Sequence, residues 1–188
     1  NATALKWHTC AWLLLPVRVF LAGWMHWYAA LPLTLLMAAG LTPRKRKEPQ
    51  TRDSLPAFPL FTRSSFLALA AFAALMALSG WGEWVNQHPD HIVRNACLCE
   101  LVASPWPVIF PDGNVLIYNT GFWLVPALAG KLAGLDAARV LVVLWGTWGL
   151  FLSWLWLCVF SGRRSLLLAL LMAAFGSLLN FQCWLGLD

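Results

Sequence analysis

Charged residues are scarce in this sequence. They make up 11% of its 188 residues, whereas 60% are hydrophobic and the mean hydropathy is +0.67. An average soluble domain is roughly a quarter charged, and no single water-soluble core could hide so much apolar surface. Several apolar stretches have the length and the Leu/Ala content of membrane-spanning helices, which satisfy every backbone hydrogen bond in hydrocarbon. We therefore expect an all-α, polytopic membrane protein.

The sequence also lacks the motifs of common soluble enzymes. It has no Gly-rich dinucleotide fingerprint, P-loop, zinc-protease helix or serine nucleophile elbow. Cys97 and Cys99 form a C-x-C pair, which is too close for an ordinary disulfide and has no partner pair at zinc spacing. The cysteines therefore predict no metal site. The remaining three lie in apolar segments and are expected to be small buried hydrophobes: Cys10, Cys158 and Cys183.

The basic residues are concentrated in one loop. Of 13 lysines and arginines, six lie between two apolar segments: Arg44, Lys45, Arg46, Lys47, Arg52 and Arg63. Such a cluster is the positive-inside signal of a cytoplasmic loop and can also contact anionic lipids. No basic face interleaved with aromatics accompanies it, so we do not expect a nucleic-acid partner.

We predict about six transmembrane segments within a single domain covering 1–188. The first two form a helical hairpin that breaks around Arg18 to Gly23. The chain begins at Asn1 rather than at methionine and stops directly after an apolar run, so we also expect that it could be a fragment of a longer protein. The predicted parts are a hairpin at 7–42, a basic cytoplasmic linker at 43–63, a span at 64–82, an extracytoplasmic polar loop at 83–114, and spans at 115–133, 139–160 and 165–185.

Strict alternation of six spans creates a conflict at the last loop. It places Arg163 and Arg164 on the extracytoplasmic side, together with the polar loop. Either one segment is re-entrant, or the positive-inside rule yields here to the stronger bias of 43–63. We favour the second explanation, because four charges of that cluster are consecutive.

The polar loop carries a predicted interfacial helix. Pro89 suits a first helical turn, and the following residues place Asp90, Arg94, Cys97 and Leu101 on one face. Ionisable residues beside hydrocarbon indicate a functional site. The alternative is structural: Asp90 would favour the positive end of the helix dipole and pair with Arg94, without catalytic duty.

In the functional interpretation Asp90 is a carboxylate base. It would deprotonate an acceptor hydroxyl as that hydroxyl attacks a sugar carbon. Arg94 would bind a phosphate or pyrophosphate leaving group, because its guanidinium fork suits those oxygens.

The other candidate site residues are substrate-binding. His91 and Asn95 could contact sugar hydroxyls, Glu100 is a second acid further along the helix, and Tyr118 is a polar aromatic in the next segment. Asp90 could hold a divalent cation with Glu100 or Asp112, but two carboxylates at unknown distance are a weak case. We therefore assign no metal ligand and no cofactor.

Three stretches resemble a group of bacterial multi-span proteins related to the GT-C glycosyltransferases. They are FLAGWMHWYAALPLTLL (20–36), NQHPDHIVRNACLCELVASPWPVIF (86–110) and LIYNTGFWLVPALAGKLAG (116–134). The resemblance covers about half of the chain and is carried chiefly by Trp24, Trp27, Asp90, Arg94, Asn95, Glu100, Trp106-Pro107-Val108 and the segment 126–131.

The resemblance implies an enzyme that takes a sugar from a polyprenyl-phosphate carrier. Such an enzyme has an acid in its first large extracytoplasmic loop, which is the position of Asp90. This chain has fewer spans than full enzymes of that class, and Tyr118-Asn119 stand where paired aromatics are expected.

Our leading hypothesis is a lipid-linked sugar transferase, or part of one, in the cell membrane. It would act in envelope polysaccharide or glycoconjugate assembly, with membrane lipid and the polyprenyl-phosphate-linked donor as partners. The alternatives are a transporter or flippase subunit and a non-catalytic subunit that packs against a membrane protein partner. Every Asp and Glu lies outside an apolar run, which disfavours ion-coupled transport.

Overall fold

A computed structural model describes residues 2–42, 59, 61–85 and 89–174. The predicted all-α class is confirmed: the described residues are helical apart from loops and one isolated bridge between Ile109 and Val115. The helices are α1 (Ala2–Trp24), α2 (Trp27–Leu41), α3 (Arg63–Leu78), α4 (Pro89–Ala103), α5 (Leu124–Ala133) and α6 (Leu135–Ser161), with a 3-10 turn at Thr120–Phe122 and a last helical stretch at 166–174.

Helix α6 is the centre of the fold. Its 27 residues span about 40 Å at 1.5 Å per residue, and α1, α3, α4 and α5 all pack against it. Within the described part of the chain it is the one helix long and apolar enough to cross a membrane. Helices α2, α3 and α5 are apolar but shorter.

Helix α3 runs antiparallel to α6. Its first turn is capped by the Thr62 hydroxyl, which accepts the Ser65 N–H. Arg164, just beyond α6, donates to the hydroxyls of Thr62 and Ser65. At the opposite end Glu83, just beyond α3, forms an ion pair with Arg139 in the second turn of α6. We call the first of these ends the basic end and the second the cap end.

Two buried clusters fill the interior, one toward each end. The cap-end cluster joins α4, α5 and the start of α6 through Leu98, Leu101 and Leu124. The basic-end cluster joins α1, α3 and the second half of α6; its members include Leu5, Phe72, Phe151, Trp154 and Leu155. Helix α1 touches both, so it runs the length of the bundle.

The break in the first hairpin differs from the prediction. Helix α1 continues through Pro16 and Arg18 to Trp24, and the chain turns at Met25 and His26. A proline removes one backbone hydrogen bond, which tertiary packing can offset. Here Trp12 and Val19, on either side of Pro16, pack into the two clusters, and the helix stays continuous.

The predicted fourth span at 115–133 was wrong as a continuous helix. Residues 115–119 are non-helical, Asn119 has a left-handed φ of 22°, and only the ten residues of α5 follow the 3-10 turn as α-helix. Ten residues rise about 15 Å, half of the roughly 30 Å of hydrocarbon. Helix α5 is therefore too short to carry the chain to the other end of the bundle, and the chain is still at the cap end when α6 begins.

The positions of residues 163 and 164 also differ from the prediction. We expected them on the same side as Asp90, but Arg164 contacts Pro59, Thr62 and Ser65 at the basic end. Residues 163 and 164 lie at the basic end because α5 does not cross the bundle. Helix α6 therefore begins at the cap end and ends beside the start of α3. Of the other predicted parts, α3 begins one residue before 64–82 and ends within it, and α6 contains 139–160. Most of the predicted linker 43–63, and residues 175–185 of the last predicted span, lie outside the described residues.

Candidate functional site

Helix α4 provides most of the predicted site. It begins at Pro89, whose missing N–H costs nothing in a first helical turn, and Asp90 follows in that turn. An acid at this position is stabilised by the helix dipole. Asp90 is exposed, as a base that must meet a substrate would be.

The buried face of α4 is shifted from the predicted one. We expected Asp90, Arg94, Cys97 and Leu101 to share a face, but Asp90 is exposed and Arg94 half-buried. The inward residues are instead His91, Asn95, Cys97, Leu98 and Leu101. The neighbouring α5 sets this rotation, because it covers the side of α4 on which Leu98 and Leu101 lie.

An aromatic cluster lies against α4. Trp81 stacks on Trp123 with 5.3 Å between ring centroids and meets the Phe122 ring edge-on at 5.0 Å. The His91 ring, 4% exposed, also meets Trp81 edge-on at 5.8 Å. A cluster of this kind excludes water from one side of the polar helix.

Arg94 is positioned by this cluster. Its guanidinium carbon lies 5.5 Å from the centre of the Trp81 ring, which is a cation–π contact. Among the described residues Arg94 forms no ion pair with Asp90. The guanidinium of Arg94 is thus held by the Trp81 ring and not by the carboxylate that was predicted as its partner.

Glu100 does not join Asp90. The two are ten residues apart on one helix, about 15 Å along its axis, and Glu100 accepts a hydrogen bond from the Ser104 hydroxyl at 3.2 Å. The suggested shared cation is therefore excluded for this pair. Within residues 2–42, 59, 61–85 and 89–174, no group of three or more His, Cys, Asp or Glu residues could hold a metal ion.

Asp112 and Tyr118 lie in the loop between α4 and α5. The backbone N–H and side-chain amide of Asn114 donate to the Asp112 carboxylate, at 3.1 and 2.7 Å, and lower its pKa. Asp112 thus closes a local turn. Tyr118 is exposed, and its carbonyl accepts a long 3.9 Å contact from the Cys97 thiol. The contacts of these two residues are therefore with Asn114 in the same loop and with Cys97 of α4.

The two cysteines of the C-x-C pair are unreactive in character. Burial raises the pKa of the Cys97 thiol to about 11, so it is protonated at neutral pH and is a poor nucleophile. The pKa of Cys99 is also raised, first by burial and then by the nearby Glu83 carboxylate.

The sequence did not predict the structural roles of three residues at the cap end. Trp81 supports Arg94, while Arg139 pairs with Glu83 and with Asp136, the latter at 3.0 Å. A cation near a helix N-terminus is unfavourable by itself, so Arg139 in the second turn of α6 was a usable signal for acidic partners. Lys131 is the third: it donates to the Val102 and Ser104 carbonyls at the end of α4.

Comparison with known proteins gives no further assignment. No family model matches the chain, and no curated protein or solved structure shows significant similarity to it.

Proposed function

We propose that this chain is an integral membrane protein that transfers a sugar from a lipid-linked phosphate donor at its cap end. Its bundle would cross the membrane with the cap end outside and the basic end in the cytoplasm. The single observation that carries the transfer proposal is that α4 presents both an exposed carboxylate, Asp90, and, one turn further on, a guanidinium held over an aromatic ring, Arg94.

The distribution of charge supports the orientation. All five described acids are at the cap end: Glu83, Asp90, Glu100, Asp112 and Asp136. The positive-inside rule counts lysines and arginines. Arg94, Lys131 and Arg139 are at the cap end and Arg63, Arg163 and Arg164 are at the basic end, so these described residues are balanced. The sequence between α2 and α3 adds five more, Arg44, Lys45, Arg46, Lys47 and Arg52, and this linker carries the proposed orientation.

The path of the chain supports five crossings. With α4 and α5 entering and leaving on the same side, the proposed crossing helices are α1, α2, α3 and α6, followed by the predicted span at 165–185, of which the structure describes 165–174. Alternation then puts the linker 43–63 and Arg163 and Arg164 together in the cytoplasm. Helices α2 and α3, with 15 and 16 residues, are shorter than a typical span, which local thinning of the bilayer accommodates.

The proposed reaction is a single displacement at the sugar's anomeric carbon. The acceptor hydroxyl forms the new carbon–oxygen bond while the bond between the anomeric carbon and the donor phosphate breaks. Asp90 takes the hydroxyl proton. Arg94 binds the departing lipid phosphate, whose charge grows as the bond breaks.

The proposal is tested with purified protein in lipid nanodiscs supplied with a polyprenyl-phosphate sugar and a hydroxyl acceptor. Asp90→Asn keeps the size of the side chain but removes the base, and we expect it to lower turnover at least about 100-fold, the range of general base catalysis. Asp136→Asn is the matched control, an exposed acid at the same end of the bundle, and should transfer at the wild-type rate. Equal turnover by wild type and Asp90→Asn would exclude the base assignment.

One observation favours the non-catalytic alternative. Helix α2 has no buried residue and exposes Trp27, Tyr28, Leu31 and Leu36. An apolar surface of this kind suits a partner helix as well as lipid. In that case wild type and both variants would show no transfer with any donor.

A further inference from the structure

A cavity of about 350 Å³ lies between α1, α3 and α6. This is the lower part of the volume range of small-molecule sites in proteins. No charged residue lines it. Its wall is built by Trp12, Leu75, Met76, Ser79, Trp81, Phe122, Gly146, Gly149, Leu150, Ser153 and Met172.

The two serine hydroxyls of the wall are already satisfied. The Ser79 hydroxyl donates to the Met76 carbonyl at 2.9 Å, and the Ser153 hydroxyl donates to the Gly149 carbonyl at 2.9 Å. The Trp12 indole N–H donates to the Trp145 carbonyl at 3.1 Å. An occupant therefore meets a largely apolar wall, which suits hydrocarbon better than water.

Two glycines of α6 set the width of the cavity. A Cβ on Gly146 would stand 2.2 Å from the Met76 side chain, and one on Gly149 would stand 2.5 Å from the Trp12 ring. Small residues of this kind let membrane helices approach closely. They hold α3 and α1 against α6 on either side of the empty volume.

Trp81 connects the cavity to α4. Its ring forms part of the cavity wall and also carries the guanidinium of Arg94, 5.5 Å from its centre. The apolar cavity and the Arg94 guanidinium thus contact the same aromatic residue. A molecule that binds to both needs a hydrocarbon chain for the cavity and an anionic head for Arg94.

We propose that the cavity holds a single hydrocarbon chain whose phosphate head binds Arg94. A volume of this size accommodates part of one hydrocarbon chain. The inference rests on the membrane placement proposed above and does not require sugar transfer.

The test uses photoreactive decyl phosphate, with a diazirine at the end of the chain, and nanodisc-embedded protein. Mass spectrometry then maps the labelled peptides. We expect labels on the segments that contain Leu75 and Met76 and on those around Leu150. Unlabelled geranyl phosphate, a branched ten-carbon competitor, distinguishes an isoprenoid chain from a straight one by how strongly it suppresses the label.

Variants separate the chain site from the head site. Ser153→Phe fills the cavity from α6 and Ser79→Phe fills it from α3, so each should abolish cavity labelling. Ser161→Phe, at the end of α6 and outside the cavity, is the matched control. Arg94→Gln should weaken decyl phosphate about tenfold, which corresponds to one charge-assisted hydrogen bond, and should leave labelling by photoreactive decanol unchanged.

The outcomes distinguish this inference from the proposed function. Cavity labelling that persists in both Phe variants, or labelling confined to α2, would show ordinary surrounding lipid and overturn the inference. Cavity labelling of a protein that transfers no sugar would support the inference and remove the transferase proposal. Sugar transfer without cavity labelling would support the transferase proposal and overturn the inference about the cavity.

Discussion

Trp81 is the residue on which the cap end most depends. Its indole contacts Trp123, Phe122, His91 and Arg94, and aromatic pairs of this geometry each contribute about 0.5–1.5 kcal/mol beyond their buried area. Trp81 also lines the cavity. One side chain therefore couples the position of Arg94 to the packing of the helix bundle.

At the residue scale we predict that Gly149→Ala destabilises the protein. The new Cβ would stand 2.5 Å from the Trp12 ring, which stacks on Trp145 and donates from Nε1 to the Trp145 carbonyl at 3.1 Å. Displacing that ring should cost about 1–3 kcal/mol, as overpacking of a core does. A lower thermal unfolding temperature in detergent would show it.

Gly40→Ala is the control for this substitution. It lies in α2, where an added Cβ meets nothing within 4 Å, and alanine is the better helix former. It should unfold at the wild-type temperature or above. If Gly149→Ala were as stable as Gly40→Ala, close packing of α1 on α6 at this point would be refuted.

At the element scale, one ion pair ties the end of α3 to the start of α6. Glu83 has a left-handed φ of 61°, a conformation that non-glycine residues adopt only when other contacts hold it. The contact here is Arg139, and the two side chains are 23% and 27% exposed. The pair therefore helps to fix the loop from which α4 departs.

We predict a measurable coupling between these two residues. Glu83→Gln and Arg139→Gln should each lower the free energy of unfolding, and the double variant should lose less than the sum of the two. Because the pair is partly exposed, the coupling should be about 1 kcal/mol or less. Denaturant unfolding of the four proteins gives its value, and strict additivity would mean that the pair contributes nothing.

Helix α4 and the segment 115–133 show which structural features the sequence did not predict. Helix α4 follows from its proline start and its apolar spacing. Its rotation does not, because the inward face is chosen by α5 through Leu98 and Leu101. The predicted span at 115–133 failed for a related reason: apolar composition alone does not distinguish a helix from an apolar loop that packs over one.

For the whole molecule we predict that Asp90 and Arg163 lie on opposite sides of the membrane. In a cysteine-free background, Leu132→Cys, which replaces a residue 84% exposed at the cap end, should react with a membrane-impermeant maleimide on intact cells. Arg163→Cys should react only after the membrane is opened. Labelling of both from outside would restore the six-crossing arrangement and refute a re-entrant α5.

The amino-acid sequence by itself determined that this protein is helical and rich in apolar surface, and it marked the polar helix with Asp90 and Arg94. These properties depend on composition and on local spacing, which neighbouring residues along the chain suffice to define. Tertiary structure alone decided which face of α4 is buried, that α5 does not cross the bundle, and that Arg164 meets Thr62. Each of these depends on contacts between residues far apart in the chain, for which the local pattern carries no signal.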